Sequence, residues 1–152
     1  MYKRQVYATG EDFPDALIAG NYAGTKEAPV LLVKGDSLPE VVEKYTTDSK
    51  IEKATVIGGE DRYETSAKLA AESYPESKLG VYATGEDFPD ALIAGNYAGT
   101  KEAPVLLVRG DSLPEPIEKY TKESKIKKAT IIGGVNAVSD KVFNLIKAAI
   151  NK

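Results

Sequence analysis

The apolar residues of the chain fall into six short runs that helical patterns separate. The runs read QVYAT, APVLLV and KATVIGG in the first part of the chain, and LGVYAT, APVLLV and KATIIGG in the second. They are rich in β-branched residues and end at glycine or at a charged residue, which is typical of strands. Because the runs are continuous rather than alternating, we expect both faces of each strand to be covered, as in a parallel sheet.

Helix start signals lie between the runs. Asp12 with Asp15, and Asp87 with Asp90, stand three residues apart around a proline, which the first turn of a helix accepts. A capping-box spacing, in which an acceptor side chain precedes a Glu by three residues, occurs three more times. These pairs are Ser37 with Glu40, Ser112 with Glu115, and Asp61 with Glu64. The spacings predict that helices alternate with the strands.

Six strand–helix units with right-handed crossovers predict an α/β fold. The expected architecture is a doubly wound, mostly parallel six-stranded sheet with helices on both faces, Rossmann-like or flavodoxin-like. A pseudo-two-fold relation between the halves favours the strand order 3-2-1-4-5-6. A length of 152 residues predicts a single domain over residues 1–152, built from two repeats of about 1–75 and 76–152.

The repeats are nearly identical. The same 28 letters begin at Val6 and at Val81, and between Val6–Gly59 and Val81–Gly134 seven of 54 positions differ. The similarity stops after paired glycines, where EDRYETSAKLAAES follows the first copy and VNAVSDKVFNLIKAAI follows the second. Such identity indicates a very recent duplication or deliberate construction. We expect two units to complete a sheet that one unit leaves open.

Composition removes several classes of chemistry. The chain has neither Cys nor His, which excludes disulfides, zinc–cysteine sites, thiol catalysis and Ser-His-Asp catalysis. A formal charge of −3 is too balanced to suggest a nucleic-acid partner, and the apolar runs are too short for membrane insertion. The carboxylates of the two EDFPD segments could form an acid/base pair or bind a cation such as Mg²⁺. Because they already serve as helix caps, we expect no metal site and no cofactor.

Three cations are predicted at the edge where the strands end. Lys34 and Arg109 follow the second strand of each copy, and Arg62 follows the first pair of glycines. Because ligands of open α/β sheets bind beyond the carboxyl ends of the strands, these side chains are the candidate binding residues for an anionic polymer. The alternative is that they are solvated, or paired locally with Asp36, Asp61 or Glu64.

Four motifs resemble the cell wall binding repeat 2 family of Gram-positive surface proteins. They are Arg62-Tyr63-Glu64-Thr65, Phe13-Pro14-Asp15-Ala16-Leu17 with its copy from Phe88, Ala28-Pro29 with Ala103-Pro104, and Gly133-Gly134 through Ala137-Val138-Ser139. The resemblance implies non-enzymatic attachment to an anionic wall polysaccharide or teichoic-acid-like polymer. It also implies an extracellular location at the cell wall or cell surface, and the same α/β layering. No signal-peptide pattern opens the sequence, so we expect any leader of the parent protein to lie outside it.

The chain departs from the family pattern at the junction of its copies. Gly58-Gly59 passes directly into Glu60-Asp61-Arg62, and the first copy has no DRYET segment of its own. We expect the last helix to close the fold in its place. The departures leave a second interpretation open, an engineered or idealised two-repeat scaffold with no natural ligand. Halves this similar also favour a domain-swapped homodimer.

Overall fold

The computed structural model describes residues 4–10, 13–49 and 51–151, with the backbone alone for residues 13, 14 and 88. Strands and helices alternate throughout. The first half contains β1 (Arg4–Thr9), α1 (Phe13–Thr25), β2 (Val30–Val33), α2 (Glu40–Asp48) and β3 (Lys53–Ile57), and α3 (Arg62–Ser73) follows it. The second half contains β4 (Leu79–Thr84), α4 (Phe88–Thr100), β5 (Val105–Val108), α5 (Glu115–Glu123), β6 (Lys128–Ile132) and α6 (Asp140–Ile150).

The strands form two parallel three-stranded sheets, with the orders β2-β1-β3 and β5-β4-β6. The predicted α/β class with parallel strands is confirmed. The single six-stranded sheet with the order 3-2-1-4-5-6 is corrected, because each half completes a sheet of its own around its first strand. The two sheets do not join at β5, since α3 packs along that strand and occupies its outer side.

The halves meet through helices. Helix α1 packs on β1 and β2, α4 packs on all three strands of the second sheet, and α1 and α4 pack against each other. Small residues permit this close approach: a Cβ added to Gly99 of α4 would lie 3.5 Å from Oδ1 of Asn21 in α1. The buried apolar residues of both halves form one continuous cluster.

The local structure of the two copies is the same. The Tyr7 and Tyr82 hydroxyls each lie 2.9 Å from a threonine hydroxyl, of Thr46 and Thr121 respectively. The backbone N–H that begins the pairing of the central strand donates to the carbonyl of Pro29 or Pro104 at 3.0 Å in both halves. Identical segments therefore fold identically at the level of the strand–helix unit.

The helix starts agree with the predicted capping boxes only at α3. The Asp61 carboxylate accepts from the N–H groups of Tyr63 and Glu64, at 2.9 and 2.8 Å. Helices α2 and α5 instead begin after Pro39 and Pro114, whose side chains cannot accept a hydrogen bond, so the two serine boxes are wrong. Asp87 is the N-cap residue of α4 without a side-chain cap bond, and Asp12 lies outside the described residues.

Helices α3 and α6, which lie outside the repeated segments, both pack on the second sheet. Helix α3 contacts β5 and α5, and α6 contacts β6 and α5. The expectation that the last helix closes the first unit is therefore wrong, because α6 covers the half that it directly follows. Within the described residues, no helix is both long enough and apolar enough to cross a membrane.

Candidate functional site

The candidate site lies at the carboxyl ends of β4 and β5, where a parallel sheet presents its loops. Helix α3 runs along β5, and its first turn lies beside the loop that follows β4. The contact is direct, because Nη1 of Arg62 donates to the carbonyl oxygen of Gly85 at 2.5 Å. This arrangement brings α3 and the β4 and β5 loops to one place. We name it the arginine edge, defined by Arg62, Tyr63, Gly85, Glu86 and Arg109.

Tyr63 is the centre of the arginine edge. Its side chain is only 4% exposed, and the Arg109 guanidinium carbon lies 4.6 Å from its ring centroid. This distance is typical of a cation–π contact, which holds the guanidinium beside the aromatic ring. Arg109 is itself exposed. The geometry therefore presents an oriented, solvent-accessible donor to an anion.

Gly85 packs closely against α3 where the β4 loop meets that helix. A Cβ at this position would lie 3.1 Å from the Tyr63 ring and 3.2 Å from Cδ of Arg62. Both distances are tighter than ordinary van der Waals contact, so a larger residue would require these side chains to shift by a few tenths of an ångström. The Arg62 side chain thus has a positioning role, in addition to the binding role that the sequence predicts for it.

The loops after the strands of the second sheet are tied together. Oε2 of Glu86 accepts from the Gly110 N–H at 2.9 Å, and the Gly110 carbonyl accepts from the Ser139 N–H at 2.9 Å. Glu86, in the β4 loop, and Ser139, the N-cap of α6, therefore hold the segment that carries Arg109. The Arg109 backbone N–H donates to the Ser112 carbonyl at 3.2 Å within the same turn.

The charges at the arginine edge act in opposite directions on Tyr63. Burial raises the pKa of its phenol, the positive charge of Arg109 opposes that shift, and the negative charge of Glu86 reinforces it. The pKa stays above its ordinary value, so the phenol is neutral at physiological pH. Tyr63 therefore supplies an uncharged aromatic face for Arg109.

The N-terminus of α3 is already satisfied by acidic groups. Besides the Asp61 cap, Oε2 of Glu64 accepts from the Glu60 N–H at 2.6 Å, and its Oε1 lies 3.0 Å from Nζ of Lys68. The bond from Glu60 and the bond from Lys68 lower the pKa of the Glu64 carboxyl. Since these carboxylates occupy the helix terminus, an incoming anion must rely on the guanidinium groups.

The three predicted cations do not all come together. Arg62 and Arg109 are both part of the arginine edge. Lys34 follows β2 in the other sheet and is exposed. Sequence reasoning missed Tyr63 as the aromatic partner and Glu86 as the anchor of the β5 loop. The local sequence around Tyr63 and Glu86 does not indicate either contact, because each contact joins segments more than 20 residues apart.

A second concave feature lies between α1 and α4. This groove has a volume of about 950 Å³, and Asn21 and Asn96 line its walls together with helix glycines and the loop after α3. Burial raises the pKa of Tyr74, a residue of that loop. Among the described residues, no group of three or more acidic side chains is arranged to hold a metal ion.

A family model, Cell wall binding domain 2 (CWB2), matches residues 1–60 and 56–143 of this chain. The chain belongs to the CWB2 family. The family resemblance expected from the four sequence motifs is therefore confirmed. The second CWB2 match includes α3 ahead of β4, whereas the described part of the first match has no helix ahead of β1.

Two curated relatives are proteins of Bacillus subtilis (strain 168). The chain is 27% identical to the Amidase enhancer over 159 residues, which cover 94% of the chain and 23% of that protein. It is 33% identical to N-acetylmuramoyl-L-alanine amidase LytC over 92 residues, which cover 60% of the chain and 18% of that protein. The chain thus spans less than a quarter of either relative.

A solved structure with the same fold is Cwp6 from Clostridium difficile. The similarity has a TM-score of 0.80 at 26% sequence identity, and it covers 97% of this chain and 27% of that one. This CWB2 chain therefore has the fold of a segment of a longer protein.

Proposed function

We propose that the chain is a non-catalytic CWB2 module that binds an anionic cell wall glycopolymer, such as a wall polysaccharide or a teichoic-acid-like polymer. The observation that carries the proposal is the family match, which extends over residues 1–60 and 56–143. The same match argues against the interpretation as a scaffold with no ligand, because the family description names binding to the cell wall.

The arginine edge supports an anionic ligand. The Arg109 guanidinium is exposed and is oriented by the Tyr63 ring, so it can form two parallel hydrogen bonds to a phosphate or carboxylate. Arg62 lies beside it, with part of its hydrogen-bonding capacity used on Gly85. We therefore expect Arg109 to make the larger contribution and Arg62 the smaller one.

Lys34 offers a second point of contact. It occupies the position in the first half that Arg109 occupies in the second, and it follows the equivalent strand β2. If one polymer strand spans both positions, the second contact forms at a high effective concentration. Several weak contacts would thus together retain the module on the polymer.

The proposed location is the cell wall or cell surface of a parent protein. The family description names the cell wall, and two relatives are named as an Amidase enhancer and an N-acetylmuramoyl-L-alanine amidase. Because the chain spans only 23% and 18% of them, we assign the module attachment to the wall and no part of the hydrolysis.

The test is co-sedimentation with purified Gram-positive sacculi, either intact or stripped of their phosphodiester-linked polymers. We expect retention on intact sacculi at about 0.01 M salt and release at about 1 M salt, where the Debye length falls from about 30 Å to about 3 Å. The Arg109→Gln, Lys34→Gln double variant should lose most of the retention.

The matched control is a two-charge variant, Lys26→Gln with Lys101→Gln, which removes one positive charge after the end of α1 and one after the end of α4. Lys26 and Lys101 lie 5.8 and 5.9 Å from the ring centroids of Tyr22 and Tyr97, so the control also removes cation–aromatic contacts. It should retain binding. Equal retention on stripped sacculi, or by the double variant, would contradict the proposal, and no retention on any sacculus at low salt would favour the scaffold interpretation.

A further inference from the structure

The first residues of β1 and β3 place two positive charges side by side. Arg4 pairs directly with Lys53 in the parallel ladder that joins these strands. Paired residues of neighbouring strands point to the same face of a sheet, and the strands lie about 4.8 Å apart. No carboxylate of a described residue is within ion-pair distance of either cation. Because like charges at this spacing repel each other, the pair favours an anion beside it.

The two cations line a cavity of about 250 Å³. Its wall also contains a third cation, Lys26, which follows α1, and the last two residues of α3, Glu72 and Ser73. Three cations and one carboxylate leave an excess of positive charge at neutral pH. The cavity is smaller than the sites of about 300–1,000 Å³ that hold drug-sized ligands. It therefore fits one small anion.

Polar groups in the wall accompany the charges. Thr55, one residue pair further along the ladder than Lys53, lines the cavity and is only 9% exposed. Ser73 lines it as well, and its buried hydroxyl has no hydrogen-bond partner among the described residues. The cavity thus lies where the end of α3 meets the first sheet, and its wall combines hydroxyl groups with positive charge.

The second half closes the equivalent position with an apolar residue. Leu79 pairs with Lys128 in the way that Arg4 pairs with Lys53, and Leu79 packs against the hydrophobic core. The exchange of Arg4 for Leu79 lies just ahead of the segment that the two halves share. The pair of cations is therefore a property of the first half alone.

We propose that this cavity binds inorganic phosphate as hydrogen phosphate, which carries an O–H group. The Arg4 guanidinium and the Lys53 ammonium hold its charged oxygens, and the Glu72 carboxylate accepts a hydrogen bond from its hydroxyl. A carboxylate in the wall disfavours anions that lack such a donor, because two acceptors would then face each other. The negative group in an otherwise basic cavity thereby acquires a role in selectivity.

The phosphate site is separate from the arginine edge, and the inference does not rest on the proposed polymer binding. A phosphodiester inside a wall polymer has no hydroxyl on phosphorus, and its two substituents do not suit a cavity for one small anion. We therefore expect the cavity to take free phosphate and not the polymer. The loss of Lys26, which lines the cavity, should accordingly leave retention on sacculi unchanged.

The direct test is a titration of inorganic phosphate into the full chain, at about pH 7 and a constant ionic strength of about 0.1 M. We expect saturable shifts of the backbone amide signals of Arg4, Lys53 and Ser73. Lys53→Gln should weaken the affinity by about tenfold or more, because it removes one of the paired charges. The matched control is Lys128→Gln, which removes the same charge from the first residue of β6 and should bind normally.

A second variant, Arg4→Leu, introduces the residue that the second half has at this position, so it should fold normally. It should also weaken phosphate binding by about tenfold or more. Unchanged affinity in both Lys53→Gln and Arg4→Leu, or an equal loss in Lys128→Gln, overturns the proposal.

Two further ligands test the role of the hydroxyl at the same ionic strength. Sulfate and dimethyl phosphate, a phosphodiester, should each bind about tenfold or more weakly than phosphate, because neither can donate to Glu72. Glu72→Gln should reduce the preference for phosphate over sulfate. Equal affinities of the parent chain for phosphate and sulfate, or tighter binding of dimethyl phosphate, contradict a site for hydrogen phosphate.

Discussion

In the second half of the molecule α3 closes the outer edge of β5, whereas in the first half the equivalent edge of β2 is open. The two halves differ at seven of the 54 positions compared, yet Leu107 is buried and Leu32 is half exposed. Gly85 is buried beneath Tyr63, while its counterpart Gly10 is exposed. Burial is therefore decided by neighbours in space, which a repeated segment does not carry with it.

The same contrast extends to the candidate site. The arginine edge exists only where α3 brings Arg62 and Tyr63 to the strand ends. Lys34 occupies the corresponding position of the first half without such a partner. The helix that seals the sheet is thus also the element that builds the site, and the two properties can be separated by mutation.

The largest expected difference between the halves is at the paired leucines. Leu107→Lys should lower the free energy of unfolding by about 3–5 kcal/mol, since it places a charge in a sealed apolar site. Leu32→Lys should change it by less than about 1 kcal/mol, because that side chain already contacts solvent. Urea unfolding of both variants measures the difference, and equal losses would show that the edge of β2 is covered in solution.

A smaller loss is expected at Ser66. Ser66→Ala removes the acceptor of the buried Leu107 N–H, which should cost about 1–3 kcal/mol in the free energy of unfolding. Ser37→Ala is the control, because the Ser37 hydroxyl bonds Asp36 in an exposed turn and its loss should cost less than about 0.5 kcal/mol. An effect of Ser66→Ala as small as that of the control would mean that the edge amide is satisfied by water.

The next effect compares two aspartates at helix starts. Asp61→Ala should cost about 1 kcal/mol, because the carboxylate accepts from two N–H groups of α3. Asp87 makes no side-chain cap bond, so Asp87→Ala should cost less than about 0.5 kcal/mol. Thermal or urea unfolding distinguishes the two, and the reverse order would contradict the assigned caps.

The smallest expected effect on the free energy of unfolding is absent at neutral pH and appears only at alkaline pH. Burial raises the pKa of Tyr82 well above its ordinary value and raises the pKa of Tyr120 to about 12. The unfolded chain ionises first, near pH 10, so these tyrosines should leave the free energy of unfolding unchanged between about pH 8 and that pH and lower it above. Urea midpoints from about pH 8 to pH 11 measure the fall. Tyr82→Phe should make it shallower, and an unchanged slope would exclude Tyr82 as a cause.

The elements could be predicted because their signals are local. Continuous apolar runs identified all six strands, and the spacing of Asp61 and Glu64 identified the start of α3. The serine boxes failed because Pro39 and Pro114 set the helix starts themselves, while Ser37 and Ser112 are used in the preceding turns. The division into two sheets was not predictable, because identical strands give no indication of which edges a connecting helix will cover.

The residues of the candidate site were predictable in type but not in arrangement. The position of Lys34, Arg62 and Arg109 after strands follows from the order of elements. The stacking of Arg109 on Tyr63 depends on α3 lying along β5, a contact between segments 46 residues apart in sequence. Family membership supports the function, whereas the roles of the individual cations are questions for the sacculus experiment.

The placement of α3 gives the chain a direction of growth. The helix leaves one unit and shields the unit that comes after it, so a longer tandem array built by this rule would leave only its leading unit unshielded. The free-energy cost of that exposed end would be the same for two units or for ten. It would therefore be a smaller fraction of the total stability in a longer array. Such a molecule would need a single end cap, at its amino-terminal side.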